Sequence, residues 1–317
     1  KPPSAGTPAG PTNSQSSDSP KFERSEQAAG NESPPDSALA SFADAGPGDA
    51  SEQEGGRCQD LLRNEVQQGQ GSSVLAVRLH DDGLKVEEIE TPSPDPGEVL
   101  VRVHAAAITR GELEWPVDRL PAIPSYELSG VVVGSGDEVY ALTPFDRDGV
   151  AAEYAVVPAD VLAPKPLRLS HVEAAALPMG GLTAWQALFV HGRLARGERV
   201  LVTGASGGVG HIAVQLARHA GAAVVETGPV DLVFDTRGGE VPAGERVVTI
   251  AEEMPGAIYF IVEPDHEQLL ELRTLVDAGE LRAEVDSVFP LTEARAAFER
   301  VAGRGKRGKV VLEVGTD

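Results

Sequence analysis

Cysteine is nearly absent. The 317-residue chain holds one, Cys58, so no disulfide can form within it, which fits a reducing compartment. A structural zinc site of four clustered thiolates is excluded as well. The seven histidines form no H-x-x-x-H or H-x-H pair, and no metal is expected. Positive charge is scarce too: 27 Lys and Arg stand against 49 Asp and Glu, for a formal net charge of −22. Nucleic acids and anionic membranes are held by basic patches, so neither is expected as a partner. Long hydrophobic runs are missing. No stretch approaches the roughly 20 apolar residues that span a bilayer, and the N-terminal residues contain no signal-peptide apolar core. A soluble, cytoplasmic protein is the expectation.

What is present divides unevenly. Residues 1–72 are dense in Pro, Ser, Gly, Glu and Asp, hold almost no large apolar residues, and carry −6 of the charge, leaving −16 on the rest. Such a stretch cannot bury enough surface to offset its ordering entropy and reads as a disordered acidic tail. From Val74 the pattern is that of short strands: Val74–Arg78 and Lys85–Glu90 around an Asp82-Gly83 turn, an alternating Glu98–Ala106, a loop with three prolines, and a hairpin from Gly130–Val133 to Glu138–Leu142 across Gly134-Ser135-Gly136. Strands at Ala152–Val157 and Val161–Ala163 follow.

At Ser170 the period changes. Ser170 and Glu173 form a capping box, and helices are predicted over Gly181–Leu194, His211–Ala220, Asp265–Ala278 and from an N-cap at Thr292 to Val301. Strand-like runs lie between them at Arg199–Thr203, Ala223–Glu226, Asp231–Asp235, Arg246–Ile250 and Ile258–Val262, with Lys309–Val314 last.

The segment V-L-V-T-G-A-S-G-G-V-G-H-I-A-V carries the most chemistry. Strand, glycine turn and helix follow in the order a dinucleotide site requires. Gly204 permits the tight turn, Gly207 lets the backbone approach a pyrophosphate, and Gly210 lets the helix pack close to the strand. Amides at the helix N-terminus bind the anion. A purely structural turn is the other reading of the same residues.

Leu162–Leu188 (L-A-P-K-P-L-R-L-S-H-V-E-A-A-A-L-P-M-G-G-L-T-A-W-Q-A-L), followed by R-V-L-V-T-G-A-S-G-G-V-G, closely resembles the zinc-free quinone-reductase branch of the medium-chain dehydrogenase/reductases. So do P-A-I-P-S-Y-E-L-S-G-V-V-V, G-D-E-V-Y-A-L and F-P-L-T-E-A-R-A-A-F-E-R…G-K-R-G-K-V-V-L. The resemblance covers roughly residues 74–317. It implies an α/β fold: a GroES-like β-rich catalytic domain from residues 73–190 and 281–317, and a Rossmann-type doubly wound parallel sheet from 191–280. It also implies a cleft for NADPH, two-electron reduction of quinones or α,β-unsaturated carbonyls (enones), and a homodimer. Thr183 looks like the residue beside the nicotinamide, and Gly204, Ala205, Ser206, Gly207, Gly208, Val209 and Gly210 like the pyrophosphate turn. Thr236, Phe260 and Val262 look like contacts to the ribose and nicotinamide. In the family hydride passes directly to an electron-poor carbon, and the protein supplies a polar group for the developing oxyanion. Tyr126, Thr109 and Glu112 are the candidates for that group, with packing as the alternative for Tyr126. Glu127 sits where the family has a buried acid.

The chain departs from the family pattern in three shortened segments. The first, at Gly134-Ser135-Gly136, is a harmless loop reduction. The second leaves Thr227–Val230 alone between two strands that should flank the central one. Parallel strands need a crossover of about a dozen residues, and four reach roughly 14 Å. The expectation is that one strand is displaced, or that the two pair as an antiparallel hairpin around Gly228-Pro229. The third, Thr236–Glu245, is short for a helical crossover. The missing pieces support the adenosine half of the cofactor. Glu226, near the end of the second strand, favours a free ribose hydroxyl and hence NADH, or is a solvated strand-end charge. Three functional readings follow: a working reductase with a trimmed cofactor domain, a non-catalytic relic with weak or no cofactor binding, or an interaction protein whose acidic tail recruits a partner, the tail otherwise being a solvated linker or leader.

Overall fold

The computed structural model describes residues 73–315. The acidic tail and Cys58 lie outside the described residues. Strands β1 (Ser73–His80) and β2 (Gly83–Glu90) form an antiparallel hairpin closing at His80 and Gly83. Next come β3 (Glu98–Ile108), β4 (Glu127–Val132), β5 (Glu138–Leu142), β6 (Tyr154–Pro158) and β7 (Ala163–Pro164). They share one sheet with β13 (Val285–Pro290) and β14 (Lys309–Glu313), in the order β13-β14-β3-β4-β5-β7, with β6 also paired to β3. Both ends of the described chain therefore build the β-rich sheet.

The β3 sequence explains its place. Its first half alternates, with Val101 and Val103 buried and Arg102 exposed. Its second half, Ala105-Ala106-Ala107-Ile108, is buried throughout. There the strand is covered on both faces: Ala105 and Ala107 pack with Ala175 and Ala176, and Ile108 joins Leu291, Ala297 and Phe298. A strand buried on both faces loses its alternation.

Helix α1 (His171–Ala175) starts with the expected capping box, Ser170 and Glu173 exchanging both bonds. Helix α2 starts earlier than predicted, at Pro178, runs to Trp185, and continues as a π-helical turn over Gln186–His191. Its internal glycines serve close packing: a Cβ on Gly180 would stand 2.6 Å from the Gly208 carbonyl oxygen, and one on Gly181 2.7 Å from Leu272 Cδ1. Thr292 is not a cap. It lies in a 3-10 turn, Leu291–Glu293, from which α5 (Ala294–Ala302) starts with no side-chain cap; the β13 strand before it had no counterpart in the prediction.

A second sheet contains β8 (Arg199–Val202), β9 (Ala223–Val224), β10 (Leu232–Asp235), β11 (Arg246–Thr249) and β12 (Ile258–Tyr259) in the order β12-β11-β10-β8-β9. Every pair is parallel. The expectation of a displaced strand or an antiparallel hairpin is overturned, because β9 and β10 flank β8 on opposite sides. The reason is the length of β9. After two paired residues the chain turns at Gly228 (φ 92°) and crosses β8 at its first residue. Arg199 N–H donates to Asp231 Oδ2 (2.6 Å), its Nε to the Pro229 carbonyl (2.7 Å), and Asp231 N–H to the Arg199 carbonyl (2.9 Å). A strand that climbs so little needs no long descent. Likewise Thr236–Glu245 joins β10 to β11 without a helix. Against the six-strand dinucleotide order 3-2-1-4-5-6, the third strand has no counterpart among the described residues.

Helices α3 (Gly210–His219) and α4 (His266–Asp277) pack with α2 against Val200, Val202, Leu232, Phe234 and Val248 in the largest core cluster. Each large side chain fully buried there contributes about 1.5–3 kcal/mol. The sheet's alternate residues, Leu201 and Val233, meet only Val225, Val230, Val241 and Val247. No helix among the described residues is long and apolar enough to cross a membrane.

Candidate functional site

Between β8 and α3 the glycine turn folds as its sequence requires. Gly204 adopts φ 67°, and a Cβ on it would lie 2.5 Å from Thr236 Oγ1. A Cβ on Gly210 would collide with the Gly204 carbonyl, so only glycine lets the helix start against the turn. Gly207 differs: its missing Cβ would meet a single atom, the Gly204 oxygen at 3.3 Å. The chain's own packing barely demands a glycine there, and open space is what an approaching ligand needs. The Ser206 and Val209 N–H groups donate to no acceptor among the described residues. They belong to a helix start, where free amides and the helix dipole favour an anion.

The β-rich sheet closes on this turn. Gly207 bridges to Gly308, the residue before β14, and a Cβ on Gly208 would touch Lys309 Cδ at 3.0 Å. The Lys309 ammonium then reaches into the sheet, donating to Thr109 Oγ1 (2.8 Å) and pairing with the buried Glu127. Thr109 Oγ1 in turn donates to Met179 Sδ (3.0 Å), Met179 N–H donates to Glu127 Oε2 (3.0 Å), and Thr183 Oγ1 donates to the Met179 carbonyl (2.5 Å). Thr109, Glu127, Thr183 and Lys309 therefore form one polar network behind the glycine turn. His211 fastens the turn from the other side. Its Nε2 accepts the Glu284 N–H (3.2 Å), which leaves Nδ1 to carry the proton and donate to the Gly207 carbonyl (2.8 Å). Burial lowers its pKa below the ordinary value, consistent with a neutral ring.

Glu112 lies fully buried next to this network. Its two oxygens accept the N–H groups of Thr109 (2.7 Å) and Ser125 (3.1 Å). Burial outweighs those bonds and the Lys309 charge, pushing its carboxyl up to about 8. Glu127 is also raised by burial, with Lys309 opposing. Tyr126 sits in an aromatic trio, 5.9 Å from the Trp115 ring and 5.1 Å from Phe145. Its hydroxyl makes no hydrogen bond among the described residues, and burial together with the Glu112 and Asp148 charges raises its pKa.

Other predicted residues sit further out. Thr236 spends its hydroxyl on the Thr203 carbonyl (2.6 Å). Phe260 and Val262 are buried just after β12, the Phe260 ring 4.4 Å from that of His191. Glu226 is exposed at a point where the chain is already turning back toward Arg199. Sequence reasoning passed over Lys309, His211, Trp115 and Phe145. Lys309 stood in the quoted G-K-R-G-K-V-V-L motif and His211 directly after Gly210; the aromatic pair carried no signal in sequence.

Comparison with known proteins agrees with this layout. Residues 95–167 match the alcohol dehydrogenase GroES-like domain, and residues 209–312 the zinc-binding dehydrogenase family. A probable zinc-binding mitochondrial oxidoreductase of Arthroderma benhamiae is 32% identical over 308 aligned positions, covering 73% of this chain and 93% of that protein. The chain belongs to the medium-chain dehydrogenase/reductase family, in its quinone-oxidoreductase-like branch. The 73% of this chain so matched comprises fewer than 308 residues, so internal shortening shows in the alignment itself. The 2-methylene-furan-3-one reductase of Solanum lycopersicum is 30% identical, over 73% of this chain and 76% of that protein. The quinone oxidoreductase of Thermus thermophilus, solved also as its NADPH complex, superposes with TM-score 0.62 at 31% identity, over 75% of this chain and 99% of that one. Among the described residues no three His, Cys, Asp or Glu side chains gather as a metal site.

Proposed function

We propose that this protein is a zinc-independent, NAD(P)H-dependent reductase of quinones or α,β-unsaturated carbonyls. One observation carries the reading: Lys309 joins the glycine turn to the buried Thr109–Glu127 network, which sets a candidate anion site beside polar side chains of the β-rich sheet. The residues fit a dinucleotide, since the turn offers free amides, a helix N-terminus and a Gly207 with space outside it. The turn would hold the pyrophosphate; Thr183, Phe260 and Val262 would line the nicotinamide. When bound, a reduced nicotinamide supplies a hydride to an electron-poor carbon.

The chain's own residues do the rest. Trp115, Tyr126 and Phe145 present flat apolar surface to a planar substrate. Tyr126 keeps its proton well above neutral pH and has a free hydroxyl to donate to a developing oxyanion. Thr109 is the poorer candidate because its hydroxyl is already committed to Met179 and Lys309. Glu112 is sealed between two backbone amides, which suits it to shaping the loop under Tyr126.

The proposal assigns residues 73–190 and 281–317 to the catalytic domain and 191–280 to the cofactor domain, supported by the sheet that joins β3 to β14. A cytoplasmic setting is supported by the single cysteine. A homodimer is supported by Ile258 and Tyr259, exposed on β12 at the sheet edge, with the exposed Ile261 just after it. One feature favours a second reading, a relic that binds cofactor weakly: the sheet lacks the strand that backs the adenosine half. Titrating the full chain with NADPH and NADH, followed by nicotinamide fluorescence, separates the two. Micromolar binding of either is expected, and no binding by folded protein overturns the reductase reading.

A further inference from the structure

The adenosine side of the glycine turn has lost its ordinary wall. Strand β9 ends after Val224, the chain leaves toward Arg199, and no basic residue follows it before β10. On the opposite flank, the second residue after β10 is Arg237. Its stem lies across Gly204: a Cβ on that glycine would stand 2.9 Å from Arg237 Cγ and 3.3 Å from Cδ. Only a residue without a side chain, here in the left-handed region at φ 67°, leaves room for the arginine stem.

The guanidinium itself is uncommitted. Arg237 is exposed, and its side chain has no hydrogen-bond or ion-pair partner among the described residues. The neighbouring acid, Asp235, is spent elsewhere. Its oxygens accept from Thr203 Oγ1 (2.6 Å), Thr249 Oγ1 (2.9 Å) and the N–H groups of Arg237 (3.2 Å) and Gly238 (3.1 Å). Glu252, on the loop after β11, accepts the Gly239 N–H (2.8 Å), and Glu240, on the Arg237 loop itself, is exposed and makes no ion pair with Arg237 among the described residues. A chain of net charge −22 thus leaves a five-donor planar cation unpaired beside a turn whose own amides await an anion. Arginine is the side chain best shaped for bidentate phosphate recognition.

We infer that Arg237 recognises a phosphate of the cofactor's adenosine half, replacing the contacts that the shortened β9 region no longer provides. This rests on the reading of the glycine turn as a dinucleotide site. The phosphate is either the pyrophosphate common to NADH and NADPH or the 2′-phosphate of NADPH alone. The recognition chemistry is the same, and the two ligands distinguish them.

The test is the dissociation constant of NADPH and of NADH, by nicotinamide fluorescence, for the full chain, Arg237→Ala and Arg237→Lys. An exposed position makes both variants fold, which circular dichroism checks. Loss of a charge-assisted bond predicts binding weakened about tenfold to a hundredfold in Arg237→Ala, with partial recovery in Arg237→Lys. Weakening confined to NADPH assigns the 2′-phosphate, and equal weakening of both assigns the pyrophosphate. Wild-type affinity retained by Arg237→Ala for both cofactors overturns this inference and leaves the cofactor site standing. A wild-type chain that binds neither cofactor overturns the site and this inference together.

Discussion

The two sheets of this protein have been treated differently. The β-rich sheet keeps long pairings, with β3 running 11 residues and bonding to three neighbours. The parallel sheet is reduced to strands of two to four residues. Three of its four connections have no helix, yet its order around the central strand is intact and the glycine turn is fully formed. The difference shows what a parallel sheet requires. Crossover length is tied to strand length, and a short strand tolerates a short return. What cannot be cut is the geometry at the carboxyl ends of β8 and β10, where the turn, Thr203, Asp235 and Thr236 bond to one another.

If the parallel sheet binds and the β-rich sheet reacts, changes in each should separate cleanly. The largest effect is expected at Gly207. Gly207→Asp would place a carboxylate against the pyrophosphate where the Cβ presses on one atom, the Gly204 carbonyl oxygen at 3.3 Å, so cofactor binding should vanish with only a small drop in melting temperature. Gly210→Ala should do the reverse first, costing about 1–3 kcal/mol by overpacking, because its Cβ collides with the Gly204 carbonyl. Calorimetry alongside a binding titration checks both, and a Gly207→Asp protein that still binds NADPH would break the assignment.

A smaller effect is expected across the cleft. Tyr126→Phe should lower kcat by about 10²-fold, as for loss of one donor to an oxyanion, while the dissociation constant for NADPH stays put. Single-turnover kinetics with a quinone would show it, and unchanged kcat would reduce Tyr126 to packing.

The smallest effect concerns pH. The Glu112 carboxyl holds its proton up to about 8 in the folded protein, against an ordinary 4.5 when unfolded. Between those values the folded state binds the extra proton, so this group's contribution to stability is full below about 4.5 and falls as pH rises toward 8. Glu112→Gln should flatten that decline in Tm. An unchanged slope between pH 5 and 8 would assign it to other groups.

Much of this was readable in the sequence. The glycine turn, the Ser170 capping box, the hairpin at Gly134-Ser135-Gly136 and the family itself each rest on local spacing, and local spacing survives without coordinates. The fate of Thr227–Val230 was misread because the length of β9 is decided by where Arg199 and Asp231 bond, a long-range fact. Thr292 failed as a cap because the chain spends that turn as 3-10 helix. Lys309, Trp115 and Phe145 were missed for a related reason: their neighbours come from distant segments. Glu226, expected at the end of the second strand, lies two residues beyond it, because β9 stops at Val224.

His211 has a consequence for ligand affinity. A single neutral imidazole spans the Gly207 carbonyl and the Glu284 amide, so the glycine turn and the segment leading to β13 are fastened to each other. Whatever arrives at the turn finds the free amides already in register. The entropy of ordering them has been spent during folding, not at the moment of binding, which offsets part of the contact area lost with the missing strand.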